Sequence, residues 1–334
     1  MATLHVTNGD CAADIIRRVV ADPVVITADV LHEGPAPAVD GDEWHKVRGA
    51  FLGDGQGEAI GEQLAATDRA IVEAARNGRV VLWFEHDLFD QLALIRVIDL
   101  VAGLKPRPAN ELEPRPAHAP DVSLICIDRF AGVDRFIGLG QLSPEQMATL
   151  VGTEQPVAAE QYVLASEAWA AFRSPDPRRL LAIAADAGRC RPLPFLRDAL
   201  LRFLAEFPSV ANGLSHTEQL MLGALRDAPL DAGRLFGDAQ AREPRPFMGD
   251  WTFFDNVKRL AASSVPLVTV AGGYTGQDLR GHAVAITGEG RRVLDGERDH
   301  VALNGIDLWR GGVHLAGADR SPWRWDAERE TLVS

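Results

Sequence analysis

A strand followed directly by a helix is predicted in residues 79–102, which read RVVLWFEHDLFDQLALIRVIDLVA. The run Val80–Phe84 is continuously apolar, as is typical of a strand that is covered on both faces. Glu85, His86 and Asp87 then place three ionisable side chains at the end of that strand. From Leu88 to Ala102 the apolar residues recur at helical spacing. The stretch therefore predicts a buried strand whose carboxyl end is polar and leads into a helix.

The same alternation extends to both sides of this stretch. The pattern predicts strands at Leu4–Thr7, Pro23–Ala28 and Val122–Ile127, with helices over residues 11–20 and 59–77 and a Pro-rich crossing over residues 106–120. Parallel neighbouring strands need a helical crossover, and alternating strands and helices favour a parallel sheet with helices on both faces. We therefore expect an α/β fold, an open and mostly parallel three-layer sheet, over residues 1–135.

The remainder of the chain is expected to form a helical connection over residues 136–210 and a winged-helix-like domain over residues 211–334. Ser215-His-Thr-Glu218 has the pattern of a capping box that begins a helix. Two further helices are expected at residues 231–238 and 250–262. Strands at Pro266–Val270 and His282–Ile286 then predict a hairpin. Three helices followed by a hairpin is the element order of a winged helix.

Composition limits the class of protein. The 334 residues are 46% hydrophobic and 24% charged, with 47 acidic against 34 basic side chains and a formal net charge of −13. These values exclude a disordered chain and an integral membrane protein, and the acidic excess disfavours nonspecific polyanion binding. The three scattered cysteines and the absence of a basic-then-apolar start predict a reduced, cytoplasmic protein.

Polar side chains follow three of the predicted strands, and the carboxyl ends of parallel strands form the usual ligand crevice of such a sheet. We predict that this crevice holds the site. The expected catalytic residues are His32, Glu33, Glu85, His86 and Asp87, and the expected ligand-binding residues are Asn8, Asp10, Arg48, Asp90 and Gln91.

This set of imidazoles and carboxylates suits two chemistries, a bound divalent metal or a general acid paired with a general base. No His-Glu-x-x-His or paired Cys-x-x-Cys spacing identifies a metal. Local structure is the simpler alternative for some positions. Asp10 and Asp87 both stand where a helix N-cap belongs, and His32-Glu33-Gly34 has the composition of a turn.

Residues 36–57 are rich in glycine and proline, and their length predicts a loop able to act as a lid. Arg48 in this loop is a candidate clamp for a bound anion. Gly53-Asp-Gly-Gln-Gly57 lacks the Gly-Lys-Ser/Thr ending of a phosphate loop, and the Gly-x-Gly-x-x-Gly fingerprint is missing after the first strand. A dinucleotide cofactor therefore lacks its usual anchor.

Several motifs occur in a fixed order along residues 1–180. They are Val6-Thr-Asn-Gly-Asp10, Asp29-Val-Leu-His-Glu-Gly-Pro35, Arg48 with Phe51-Leu52, Trp83-Phe-Glu-His-Asp-Leu-Phe-Asp-Gln91 and Gly140-Gln-Leu-Ser143. In this order they resemble a bacterial family known as domain of unknown function 1835. The resemblance implies a site shared at these positions and names no reaction.

Two functions fit the predicted site, beside a third, simpler interpretation as an interaction module whose polar loops serve only protein contacts. The first is an enzyme that acts on a small anionic substrate, phosphate-bearing or nucleotide-like, by acid/base or metal-assisted hydrolysis or transfer. The alternative is a non-enzymatic ligand-sensing regulator whose winged helix contacts DNA or a partner protein. Residues 214–334 carry 14 basic against 17 acidic side chains, which gives DNA binding little support from charge.

Overall fold

A computed structural model describes residues 2–104, 121–274, 276–317 and 323–334. The chain divides into two units, one formed by Met1–Leu200 with Gly311–Val313 and the other by Leu201–Arg310 with His314–Ser334. The predicted connection over residues 136–210 thus falls partly in each unit. The predicted Pro-rich crossing lies outside the described residues. Within the described ranges, no helix combines the length and apolar character that crossing a membrane requires.

The first unit alternates strands and helices. Its elements are β1 Thr3–Thr7, α1 Asp10–Ile16, β2 Val24–Ile26, β3 Gly34–Pro35, α2 Gly41–Leu52, α3 Gly57–Asn77, β4 Arg79–Glu85, α4 Leu88–Ala102, β5 Asp121–Ile127, α5 Pro144–Ala148, β6 Gln155–Pro156, α6 Ala159–Phe172 and α7 Arg178–Ala184, and α8 Leu196–Leu204 crosses into the second unit. A single 3-10 turn, Leu139–Gln141, precedes α5.

The main sheet has the strand order β2-β1-β4-β5-β6. The pairs β1–β2, β1–β4 and β4–β5 are parallel, and only the two-residue edge strand β6 is antiparallel. Val6 stands opposite Leu82, which stands opposite Leu124. All four predicted strands therefore lie in one mainly parallel sheet, and the predicted α/β fold is confirmed.

The sheet is buried because its central strand is apolar on both faces. Val81 and Trp83 of β4 pack with Ile16 of α1, Ile125 of β5 and Leu139. Val80, Leu82 and Phe84 point to the opposite face, because side chains alternate along a strand, and these three residues are also fully buried. The two cores fix β4, and with it the position of Glu85 at the end of that strand.

The prediction of a loop over residues 36–57, able to act as a lid, is wrong. Helix α2 occupies Gly41–Leu52, within residues that were expected to form a loop. The glycines allow close packing of α2 against α3. A Cβ atom at Gly49 would lie 2.6 Å from the backbone nitrogen of Gly61 and would overlap the carbonyl oxygen of Gly57. The glycine content therefore reflects contact between two helices.

We expect Gly49→Ala to lower the free energy of unfolding by about 1–3 kcal/mol, because the added methyl group meets backbone that cannot rotate away. Gly237→Ala is the matched control. Gly237 lies within a helix of the second unit, and a Cβ there meets nothing within 4 Å. This control should stabilise the protein by up to about 1 kcal/mol. Urea denaturation measures both changes, and equal effects would contradict the close helix contact.

The second unit begins with three helices, α9 His216–Ala224, α10 Ala232–Arg242 and α11 Asp250–Ala262. The capping box predicted at Ser215 and Glu218 is present at the start of α9. The remaining elements are β7 Leu230–Asp231, β8 Val268–Val270, β9 Ala283–Ile286, α12 Gly288–Leu294, α13 His300–Asn304, β10 Ile306–Gly311, β11 Val313–Gly317, β12 Arg324–Asp326 and β13 Thr331–Val333.

The predicted hairpin of this unit is present, since β8 and β9 pair antiparallel with Val268 opposite Ile286. The short strand β7 adds to the other side of β9. The order of three helices and a hairpin is therefore observed. The assignment of these elements to a winged helix remains a prediction.

Candidate functional site

The carboxyl ends of β1, β2, β4 and β5 lie at the same edge of the sheet, because these strands run parallel. Asn8 follows β1, and Glu85 is the last residue of β4. The amide nitrogen Nδ2 of Asn8 donates to Oδ2 of Asp90, 3.3 Å away. The end of β1 is thus joined directly to the first turn of α4, as the predicted convergence of strand ends requires.

Three carboxyl groups meet at this edge. Glu85, Asp87 and Asp90 each offer an oxygen, and these oxygens lie within 4.8 Å of one another. Asp87 and Asp90 are 5% and 3% exposed, so water reaches the cluster poorly. We refer to these three residues as the carboxyl cluster.

Backbone N–H groups hold each member of the cluster. Asp87 is the N-cap of α4, and its Oδ1 accepts from the backbone nitrogen of Asp90 at 2.9 Å. Oδ1 of Asp90 accepts from the backbone nitrogen of Glu85 at 3.0 Å. Oε2 of Glu85 accepts from the backbone nitrogen of Leu139. The capping function expected as the alternative for Asp87 is therefore present, and it coexists with a place in the cluster.

The electrostatics of the cluster are unfavourable for three negative charges. Burial raises the pKa of Glu85 to about 8, and the charge of Asp87 adds to this rise. Burial raises the pKa of Asp87 to about 7. Burial, together with the charges of Glu85 and Asp87, also raises the pKa of Asp90 well above its usual range. Within the described ranges, no lysine or arginine forms an ion pair with any of the three.

The two predicted histidines are buried beside aromatic rings. The imidazole of His32 meets the ring of Phe89 edge to face, with centroids 5.7 Å apart. Phe89 lies in the first turn of α4, between Asp87 and Asp90. The ring of His86 lies 6.0 Å from the ring of Phe136. Both imidazoles are therefore held near the start of α4, within protein rather than in solvent.

Arg48 does not have the geometry of an anion clamp. Its guanidinium group is fully buried and makes a two-pronged contact with Asp29, with Nη2 to Oδ1 at 2.6 Å and Nε to Oδ1 at 3.0 Å. The remaining N–H groups donate to the carbonyl oxygens of Val30, Glu33 and Pro35 at 2.9–3.0 Å. All five donors are used within the chain, so none is left for a ligand. Arg48 orders the segment that carries His32 and Glu33.

The remaining predicted residues differ in exposure. Asp10 is exposed in the first turn of α1, and the N-cap of that helix is Gly9 rather than Asp10. Glu33 is buried, and its backbone carbonyl oxygen is one of the acceptors for Arg48. Gln91 is 1% exposed, and its Nε2 donates to the carbonyl oxygen of Glu85 at 2.6 Å. Gln91 thus supports the end of β4 from within α4.

Gly138 and Leu139 were not predicted from the sequence, and both contact the cluster from the segment that follows β5. A Cβ atom at Gly138 would overlap Oε1 of Glu85, so a larger residue here would displace this carboxyl group from its present position. The available signal was glycine at both 138 and 140, next to the Gly140-Gln-Leu-Ser143 motif. These glycines could be assigned to the surroundings of Glu85 only once β4 and β5 were known to be neighbouring strands.

No family model matches the chain, and no curated protein matches it either. The resemblance to domain of unknown function 1835 therefore remains a prediction from the ordered motifs.

Proposed function

We propose that the protein is an enzyme that acts on a small anionic substrate, phosphate-bearing or nucleotide-like, by hydrolysis or group transfer. The carboxyl cluster is the observation that carries this proposal. Three acids are held within 4.8 Å of one another at the carboxyl edge of a parallel sheet, which is the usual position of a ligand crevice. Acid/base and metal-assisted chemistry both need groups of this type at such a position.

The cost of the cluster supports a functional interpretation. Buried carboxyl groups that lack a cationic partner oppose folding, whereas a hydrophobic residue at the same position would favour it. Groups of this kind concentrate at catalytic and binding sites, where the cost is offset by function. In this proposal Glu85, Asp87 and Asp90 contact the reacting centre. His32 and His86 lie next to it, where each can orient or protonate a bound anion.

Turnover by the purified full-length chain tests the proposal directly. The substrates are p-nitrophenyl phosphate, nucleoside mono-, di- and triphosphates and sugar phosphates, each with and without Mg²⁺. Phosphate release detects hydrolysis, and ³¹P NMR detects transfer. A thermal-shift measurement on the same panel reports binding, because a ligand that binds only the native state stabilises it. Binding without turnover of any bound compound would favour the sensing function over the enzyme.

We expect Glu85→Gln to lower turnover of an active substrate by about 10²–10⁴-fold, because a carboxyl group that can give or take a proton at the reacting centre is lost. The substitution retains an oxygen that can accept from Leu139. Asp128→Asn is the matched control, since Asp128 directly follows β5 at the same sheet edge and pairs with Arg129 outside the cluster. The control should keep turnover within a few-fold. Equal losses in both variants would contradict a catalytic role for the cluster.

A further inference from the structure

We infer that Glu85, Asp87, Asp90 and Asn8 form a binding site for one hard divalent cation, Mg²⁺ or Mn²⁺. The inference rests on the proposed function in placing this cation at the same reacting centre. It goes further in choosing metal-assisted chemistry over unaided acid/base catalysis.

The donor atoms of the site are all oxygens. Glu85, Asp87 and Asp90 supply carboxyl oxygens within 4.8 Å of one another, and these oxygens are close enough to share one ion. Mg²⁺ and Mn²⁺ prefer carboxylate, amide and water oxygens, whereas zinc prefers imidazole and thiolate. The nearby thiol of Cys126 is already used within the chain, since it donates to the carbonyl oxygen of Glu85 and accepts from Nε2 of Gln91. The set thus favours a hard cation.

Asn8 supplies an observation that is independent of the acids. Its side chain is 94% buried, since only 6% is exposed, and Nδ2 contacts Asp90 at the cluster. Its other polar atom, Oδ1, is buried and accepts no hydrogen bond from the described residues. A buried amide oxygen without a donor opposes folding, because it has given up its hydrogen bonds to water. A cation bound beside Asp90 gives this oxygen a partner, and Asn8 would become a fourth oxygen ligand.

The negative charge of a phosphate-bearing substrate calls for a cation at the carboxyl cluster. An anionic phosphate group is repelled by a cluster of carboxylates that carries no compensating positive charge. A divalent ion reverses the sign of the local field and can bridge carboxylate and phosphate oxygens. Two described cations at this end of the sheet do not provide that charge. Arg48 is fully used by Asp29 and three carbonyl groups, and Arg129 is paired with Asp128.

The backbone holds the carboxyl groups in place for such an ion. Each of the three accepts at least one hydrogen bond from a backbone N–H, donated by Asp90, Glu85 or Leu139. A carboxylate can keep a backbone hydrogen bond on one oxygen and bind a cation with the other. The ligands also come from two parts of the sheet edge, since Asn8 follows β1 and the acids span β4 and α4. Binding of the ion should therefore join these elements.

Titration of the full-length, substrate-free protein with Mn²⁺ tests the inference. Loss of the free-ion EPR signal and isothermal titration calorimetry both count the bound ions. We expect one ion per chain with a Kd below about 1 mM and competition by Mg²⁺. Glu85→Gln and Asp90→Asn should each weaken binding at least about 10-fold, and Asn8→Ala should weaken it by a similar factor. Circular dichroism checks that each variant is folded. If one of the two acid variants does not fold, the other still tests the inference.

Asp128→Asn is again the matched control, because it removes one negative charge from the same sheet edge without touching the cluster. It should leave Mn²⁺ affinity within about 2-fold, because Asp128 is already paired with Arg129 and salt screens what remains of its charge. Absence of Mn²⁺ binding would overturn the inference. So would binding that survives both Glu85→Gln and Asp90→Asn, or binding that Asp128→Asn weakens as much as they do.

The metal inference and the proposed function fail in distinguishable ways. Turnover that persists in excess EDTA, in a protein that binds no Mn²⁺, would leave the enzyme proposal standing and remove the metal. Stoichiometric Mn²⁺ binding that the cluster variants abolish, without turnover of any phosphate compound, would leave the metal site standing and remove the proposed reaction.

Discussion

Replacing Arg48 with Lys is expected to lower the free energy of unfolding by about 2–5 kcal/mol, because at least two buried acceptors lose their donor at about 1–3 kcal/mol each. Arg48 is fully buried, and Asp29, its acidic partner, is 4% exposed. A lysine ammonium group cannot reproduce the planar two-pronged contact, and it has three donors where five are used. Part of the carbonyl set at Val30, Glu33 and Pro35 would therefore be left without a donor.

The Arg48 variant should also change the site, because these carbonyl groups belong to the segment that carries His32 and Glu33. We expect its activity to fall even under conditions where the protein stays folded. Urea denaturation measures the stability, and turnover measured well below the unfolding transition separates the local effect from unfolding.

Arg129→Lys is the matched control for Arg48→Lys. Arg129 makes the same kind of two-pronged contact with a carboxylate, at 2.9 and 3.0 Å, but its side chain is 85% exposed. An exposed pair of this kind contributes little, so the free energy of unfolding should change by less than about 0.5 kcal/mol. If the two variants were equally stable, burial and the carbonyl contacts of Arg48 would not contribute as argued.

Much of the α/β unit could be predicted because its signals are local. The apolar run before Glu85 and the helical spacing after Asp87 placed β4 and α4 correctly, and the parallel order followed from the alternation of strand and helix. Helix α2 was missed for a physical reason. Glycine within a helix lowers the intrinsic preference for that helix, and the packing of α2 on α3 that outweighs this cost joins residues distant in sequence.

The location of the candidate site could also be predicted, but not every contact within it. Topology alone indicated that the ends of β1 and β4 lie together, and the contact between Asn8 and Asp90 agrees with this. The role of Arg48 was not predictable. A loop arginine next to an expected crevice suggests a ligand, and nothing in the sequence around it shows that Asp29 and three carbonyl groups take all of its donors. Gly138 was not predicted for the same reason, because its contact with Glu85 joins the segment after β5 to the end of the neighbouring strand β4.

A second large effect is expected in the other unit, where Glu206 is buried and forms ion pairs with two arginines. Its Oε1 accepts from Arg202 at 2.6 Å and from the hydroxyl of Thr217 at 2.6 Å, and Arg310 lies 3.9 Å from Oε2. Burial by itself would raise the pKa of Glu206, but the charges of Arg202 and Arg310 outweigh it and lower that pKa to about 2. We expect Glu206→Gln to lower the free energy of unfolding at pH 7 by about 3–5 kcal/mol.

The pH dependence of this loss identifies its cause. A carboxyl group whose pKa is lower in the folded state stabilises the protein above its unfolded pKa, and this stabilisation is lost as the pH falls toward the folded value. The difference between the wild type and Glu206→Gln should therefore be constant from about pH 7 to 5 and shrink between about pH 4.5 and 2. Glu328→Gln, an exposed position in the same unit, should show neither the loss nor the trend. Denaturation curves measured across this pH range provide the comparison. If the free energy of unfolding of Glu206→Gln stayed below that of the wild type by the same amount down to pH 2, shape and hydrogen bonding, rather than the carboxylate charge, would stabilise this part of the unit.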